Sequence, residues 1–228
     1  EVQKNNSNKK NNFINLKNLY FGNDANLDEA KFLKNKINKK KFTVIKFSNK
    51  KAALFLSKGK ILGRVVDRME FGPRSLGNRS ILADPRNLTT KTKINAKIKN
   101  RDFWMPFAPS IIDSCAKKYI FNSHKTISSH MALTFKTTKI GYKKIIAACH
   151  DADKTVRAQI VTKKSNLDYY SLINEFKNIT GCGALLNTSF NLHGYPVVKN
   201  ISEAFNVLNK SDLDGLITKN FIILKKTN

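Results

Sequence analysis

Cysteine is scarce and poorly placed for chemistry. Cys115, Cys149 and Cys182 are odd in number, far apart and without a CxxC pair, which argues against a disulfide framework and against a zinc site. They read instead as small buried hydrophobes. No apolar run approaches the roughly 18 to 20 residues of a membrane-spanning helix. The first ten residues, EVQKNNSNKK, hold no hydrophobic stretch that could act as a signal peptide. The expectation is a cytoplasmic protein with no membrane partner. No serine lies in GxSxG and the four histidines sit in unrelated contexts, so neither a Ser-His-Asp triad nor a Cys-His dyad can be assembled. GxxxxGK[ST] and GxGxxG are missing too, which excludes a Walker loop and a dinucleotide fingerprint.

What remains is a chain of 228 residues, 41% hydrophobic, enough for one substantial core. It begins with Glu rather than Met, which suggests the back part of a longer polypeptide. Residues 1–41 are expected to be a disordered or connecting segment, since the Lys- and Asn-rich start cannot offset its ordering entropy, with a short helix possible over 26–37. A domain then runs from 42 to 228. Alternation predicts a strand over 41–47; Ser48 caps a helix ended by Gly59; 61–66 is a buried strand and 67–80 a loop. Further expected elements are a helix over 90–99 and a strand over 107–112, placed at an edge or bend by Pro106 and Pro109. Strands at 131–135, 145–149 and 156–161 follow, then a helix over 169–180 stopped by Gly181 and a strand over 184–187. A helix over 202–209 capped by Ser202 precedes strands at 215–218 and 221–224. This is an α/β or α+β pattern with a mixed sheet.

Acidic residues are few: 16 Asp and Glu stand against 42 Lys and Arg, a formal net charge of +26. Such a balance points first to nucleic acid. The cations are nearly all Lys and spread evenly, as a compositional bias would spread them, so a nucleic-acid partner is possible but not favoured. The seven arginines are more informative. Arg64, Arg68, Arg74, Arg79 and Arg86 cluster, Arg101 follows, and Arg157 stands apart. A guanidinium grips phosphate or carboxylate bidentately where Lys cannot. The nearby acids Asp67, Glu70, Asp84 and Asp102 are too few to neutralise them all, which leaves positive charge for a ligand.

Four segments carry the candidate chemistry. RMEFGPRSLGNRS, residues 68–80, has two glycines, Gly72 and Gly77, that let backbone amides approach an anion, with Arg68, Arg74 and Arg79 supplying charge. IKNRDFWMPFAPS, residues 98–110, sets Lys99 and Arg101 two apart beside Phe103, Trp104 and Phe107; the rings are either an aromatic wall for a base or plain core, and core suits Phe107 better. HDADKTVRAQ, residues 150–159, offers Arg157 to an anion, while His150, Asp151 and Asp153 match no established metal spacing. NTSFN, residues 187–191, brings Asn187, Ser189 and Asn191 to the end of a strand. Together they imply phosphate chemistry run by positioning and charge neutralisation.

RMEFGPRSLGNRSILADPR, IKNRDFWMPFAPSI, HDADKTVRAQ and LLNTSFNLHGYPVV, in this order, resemble signatures of the carbamoyltransferase family that includes nodulation and antibiotic O-carbamoyltransferases. The resemblance runs from about residue 42 to the end. It implies a YrdC-like domain, a twisted mixed β-sheet flanked by helices, that forms carbamoyladenylate from carbamoyl phosphate and ATP, with Mg2+ accompanying the ATP. A preceding Kae1-like domain or subunit, the only place for iron, would pass the carbamoyl group to an acceptor hydroxyl; this chain itself would hold no metal. Carried onto these residues, Arg68, Arg74 and Arg79 would meet the phosphates and Lys99 and Arg101 would share their charge. With Arg74 these last two are the catalytic candidates. Arg157, Asn187, Ser189 and Asn191 would hold the carbamoyl group or nucleotide. Ser75 and Ala158 depart from the Ala and Pro expected there. A basic nucleic-acid-binding module and a non-catalytic partner subunit are the competing readings.

Overall fold

The computed structural model describes residues 18–29, 32, 37–99, 106–122 and 128–226. Ten strands and six α-helices follow one another along these residues: β1 (Phe42–Lys46), α1 (Asn49–Ser57), β2 (Leu62–Val65), β3 (Arg79–Ala83), α2 (Leu88–Ile94), β4 (Ala108–Ile112), α3 (Asp113–Tyr119), β5 (Phe135–Lys136), α4 (Lys139–Ile145), β6 (Thr155–Val156), β7 (Gln159–Val161), α5 (Leu167–Thr180), β8 (Ala184–Ser189), α6 (Ile201–Lys210), β9 (Gly215–Ile217) and β10 (Phe221–Lys225). Eight strands form one sheet in the order β1-β10-β9-β2-β3-β8-β4-β7, and β5 pairs with β6 alone. The β2–β9 and β4–β7 pairs are parallel and the others antiparallel, the mixed α/β sheet expected.

The central strands are apolar on both faces because both faces are covered. Successive side chains alternate between two cores: Leu82, Ile217 and Ile222 join Ala52, Leu56, Leu172 and Phe176 on one side, whereas Ile81, Leu216 and Ile223 join Ile94, Ala204 and Leu208 on the other. Each Leu, Ile or Phe among them contributes roughly 1.5–3 kcal/mol on burial. Ala25 and Phe32 also belong to the second core, and Phe32 meets Phe205 edge-on at 5.2 Å between ring centroids. Part of the segment before residue 42 therefore packs on the domain.

Capping chemistry explains several boundaries. Ser48 accepts from the Lys51 amide at the start of α1, Asn166 from Tyr169 at the start of α5, and Gly181 ends α5 in the left-handed region at φ 68°. Other expectations are corrected. Residues 145–149 are not a strand: Ile145 closes α4 and Ile146–Ala148 is a 3-10 turn. The strand expected over 131–135 shrinks to β5, and Met131 has φ 55°. The last helix is capped by Asn200, not Ser202. The loop ends at β3, and α3 was not expected at all. Nor does β4 lie at an edge, since β8 and β7 flank it; β7 pairs only from Ser110 onward, so at Pro109 the strand pairs with β8 alone and the missing N–H interrupts no β7 pairing. The three cysteines are free and buried, as read from their spacing.

Candidate anion-binding site

β8 ends where β3 and β4 begin, with Ser189 opposite Ser80 and Asn187 opposite Ala108. Around this point a cleft of about 390 Å³, open mouth included, is lined by Arg74 and Ser75 from the glycine-rich segment, Phe107 from the approach to β4, Arg157 from between β6 and β7, and Asn187 and Ser189 from β8. A second hollow adjoins it and shares Arg74, Met131 and Arg157, adding the apolar Leu19, Phe71 and Leu76 together with His130. Among the described residues, Arg74, Arg157, Asn187 and Ser189 are the sequence candidates that the fold brings together.

Arg74 is exposed, but the chain just after it is held tightly. The Ser75 carbonyl accepts from Asn187 Nδ2 at 3.1 Å, the Leu76 carbonyl from Gln159 Nε2 at 2.9 Å and Tyr20 Oη at 3.1 Å, and the Gly77 carbonyl from Arg64 at 2.7 Å. Gly77 has φ 121°, and a Cβ there would lie 2.5 Å from the Tyr169 ring, so only glycine suits the position. Asn187 is 1% exposed. Its Nδ2 also donates to Ser110 Oγ at 3.0 Å, while its Oδ1 is buried without a hydrogen-bond donor. Ser110 in turn donates to Gln159 Oε1 at 2.7 Å. Burial pushes the Tyr20 hydroxyl up to about 12, and Tyr169 is likewise raised by burial. Both rings are neutral around physiological pH.

The remaining arginines have other work. Arg79 is 0% exposed. Its three side-chain nitrogens donate to the carbonyls of Asn23, Val66, Asp67, Asn78 and Lys199; its phosphate role is therefore corrected to that of a buried tie between segments. Arg64 is buried against Tyr169, 5.5 Å from the ring centroid, and burial lowers its pKa. Arg68 donates to the Phe21 and Gly22 carbonyls, away from the cleft. Arg86 forms a bidentate pair with Asp84, Nε donating to Oδ1 and a terminal nitrogen to Oδ2. Counting acids misjudged these groups, because backbone carbonyls take up most of the guanidinium donors. Asn191 sits beyond the cleft lining, accepting from Ser189 Oγ at 2.8 Å and donating to the Tyr195 carbonyl. The Lys99 side chain, Arg101, Phe103 and Trp104 lie outside the described residues.

Several backbone amides of the glycine-rich segment are likewise taken up within the chain. Glu70 Oε1 accepts from the amides of Leu76 at 2.7 Å, Asn78 at 2.8 Å and Arg79 at 3.2 Å, so the anion filling this nest belongs to the chain itself. Sequence reading missed Glu70, Ser110 and Gln159; a lone acid at the head of a glycine-rich loop is the one signal that pointed to the first. Asp151 pairs with Lys91 and Asp153 with His150 at 3.2 Å. Among the described residues no group of three His, Cys, Asp or Glu could hold a metal ion, and no helix is long and apolar enough to cross a membrane.

A mixed sheet covered on both faces, with an arginine-lined cleft where its strands meet, defines a small α/β domain. Residues 53–225 match the family described as "Carbamoyltransferase C-terminus", and the chain belongs to that family. It is 38% identical over 178 residues to nodulation protein NolNO of Sinorhizobium fredii, covering 78% of this chain and 26% of that protein. It is 37% identical over 218 residues to an uncharacterised protein of Methanocaldococcus jannaschii, covering 93% and 42% respectively. The 3'-hydroxymethylcephem-O-carbamoyltransferase of Streptomyces clavuligerus is 30% identical over 149 residues, covering 65% and 27%. The chain thus spans less than half the length of these relatives. Among solved structures, full-length HypF in its phosphate- and nucleotide-bound form superposes with a TM-score of 0.52 at 16% identity, covering 78% of this chain and 24% of that one. This likeness concerns the fold, and it agrees with the YrdC-like architecture expected.

Proposed function

We propose that this domain forms carbamoyladenylate from carbamoyl phosphate and ATP, and that a Kae1-like domain or subunit passes the carbamoyl group to an acceptor hydroxyl. The observation that carries the reading is the meeting of Arg74 and Arg157, from segments remote in sequence, on one cleft whose floor is the Asn187–Ser189 end of β8. Atom balance requires one water: carbamoyl phosphate yields phosphate and carbamate, and a carbamate oxygen attacks the ATP α-phosphorus and displaces pyrophosphate. The protein supplies no nucleophile. Arg74 and Arg157 neutralise charge as it collects on the phosphate oxygens, an effect worth roughly 100-fold or more per well-placed donor. Asn187 Oδ1 is an acceptor suited to an N–H of the carbamoyl group once ligand entry opens its surroundings, and Ser189 contributes a hydroxyl. The hollow of Leu19, Phe71, Leu76 and Met131 suits the apolar faces of a nucleobase. Lys99 and Arg101 remain candidates for sharing the phosphate charge, and Mg2+ enters with ATP. The O-carbamoyltransferase relatives support the group transferred, and the nucleotide in the HypF structure accords with the choice of ATP.

The test is release of phosphate and pyrophosphate by the purified chain with ATP, Mg2+ and carbamoyl phosphate. The expected result is equimolar release that needs all three and falls at least tenfold in Arg74→Ala. ATP turnover indifferent to carbamoyl phosphate would contradict the reading.

A further inference from the structure

The cleft presents Arg74 at the end of an exposed turn, residues 71–74, whose first three residues carry little that could fix a guanidinium. The described hydrogen bonds include one backbone contact on that side, the Phe71 amide to the Leu19 carbonyl at 2.7 Å. Residues 75–79 are held instead, and the group that gathers three of their amides is Glu70, the residue immediately before the turn. One carboxylate oxygen thereby closes the segment into a ring, with the chain entering at 70 and pinned again at 76, 78 and 79. We infer that Glu70 is a positioning residue for Arg74: its carboxylate sets the path of the turn and so fixes where the Arg74 guanidinium meets an anion.

Three features support this role. Glu70 is 6% exposed, so its charge is committed to the interior. Charge-assisted N–H bonds to a carboxylate are about twice as strong as neutral ones, and three on one oxygen are the only contacts described for that carboxylate, since Oε2 is buried without a partner. Leu76 is also gripped through its carbonyl by Gln159 and Tyr20, so a loosened amide side would tilt a peptide that lies two residues from Arg74.

The inference rests on the reading of Arg74 as an anion ligand, and a double-mutant cycle separates the two. Inorganic pyrophosphate is the probe, its affinity measured by calorimetry for the wild-type chain, Glu70→Ala, Glu70→Gln, Arg74→Ala and the double variants, with thermal unfolding recorded for each. Arg74→Ala and Glu70→Ala are each expected to weaken pyrophosphate binding about tenfold or more, with the double variant no weaker than Arg74→Ala alone, because the two act as one unit. Glu70→Gln keeps an acceptor oxygen and should lose less. If Glu70→Ala does not fold, the Gln variant and its Arg74→Ala partner decide by the same comparison. A folded Glu70 variant that binds like wild type, or losses that multiply in the double variant, would overturn the inference while leaving the proposed function standing. A wild-type chain that binds no pyrophosphate, or an unaffected Arg74→Ala, would overturn both.

Discussion

Asn187 Nδ2 donates to the Ser75 carbonyl at 3.1 Å, tying the floor of the cleft to the residue that follows Arg74. The same nitrogen reaches Ser110 Oγ at 3.0 Å, so one buried amide links β8, β4 and the arginine turn. Asn187→Ala leaves the Ser75 carbonyl buried without this donor, a cost of about 1–3 kcal/mol. For a chain of this size that lowers the melting temperature by roughly 2–4 °C per kcal/mol, a shift that calorimetry resolves. Asn187→Asp should be worse for anions than Ala, because it adds negative charge beside the phosphates.

Arg74 and Arg79 make opposite predictions although they lie five positions apart. Arg74→Ala removes an exposed side chain and should leave the melting temperature within about 1–2 °C of wild type, as surface changes of under about 0.5 kcal/mol do. Arg79→Ala strips buried carbonyls of their donors at several points and should destabilise by about 3 kcal/mol or more. Thermal unfolding of the two variants side by side distinguishes the exposed cleft arginine from the buried tie.

Gly77→Ala places a Cβ against the Tyr169 ring at a backbone angle that L-residues avoid. A loss of about 2 kcal/mol or more is expected from crowding and strain together. Urea unfolding checks it: the midpoint should fall with little change in slope.

Asp67 is partly buried, which by itself would raise its pKa, yet hydrogen bonds from Asn26 and Lys219 outweigh this and hold it below the ordinary value. Lys219 also meets Asp168, at 2.6 Å. A depressed carboxylate pKa stabilises the fold above the unfolded-state pKa of about 4 and loses that contribution as pH falls through the folded value. Asp67→Asn should therefore flatten the stability–pH curve below about pH 4, and urea midpoints taken across that range will show it.

Much of the fold was legible because local rules agreed with global ones. The Ser48 cap, the Gly181 stop and the apolar runs of β2, β8 and β10 each carry their own signal. β3 was harder to see: its apolar stretch, Ile81 to Ala83, follows directly on a glycine-rich loop and opens with Arg79, which reads as a ligand residue. The run Ile145 to Cys149 looks like a strand because buried helix ends and buried strands are equally apolar over five residues. The site was legible in residue types and illegible in roles. Arg74 and Arg79 look alike in sequence, and only the fold shows that one faces a cleft while the other is wrapped in carbonyls. Glu70 showed in the sequence only as a nearby acid, because its partners are amides, which every residue carries.

Adenylate formation, as proposed for this domain, is read out by exchange of labelled inorganic pyrophosphate into ATP. Exchange is expected to appear when carbamoyl phosphate is present with Mg2+, and to disappear in Arg74→Ala while the variant stays folded. Exchange that proceeds equally without carbamoyl phosphate, or no exchange from a folded wild-type chain that binds both substrates, would contradict it.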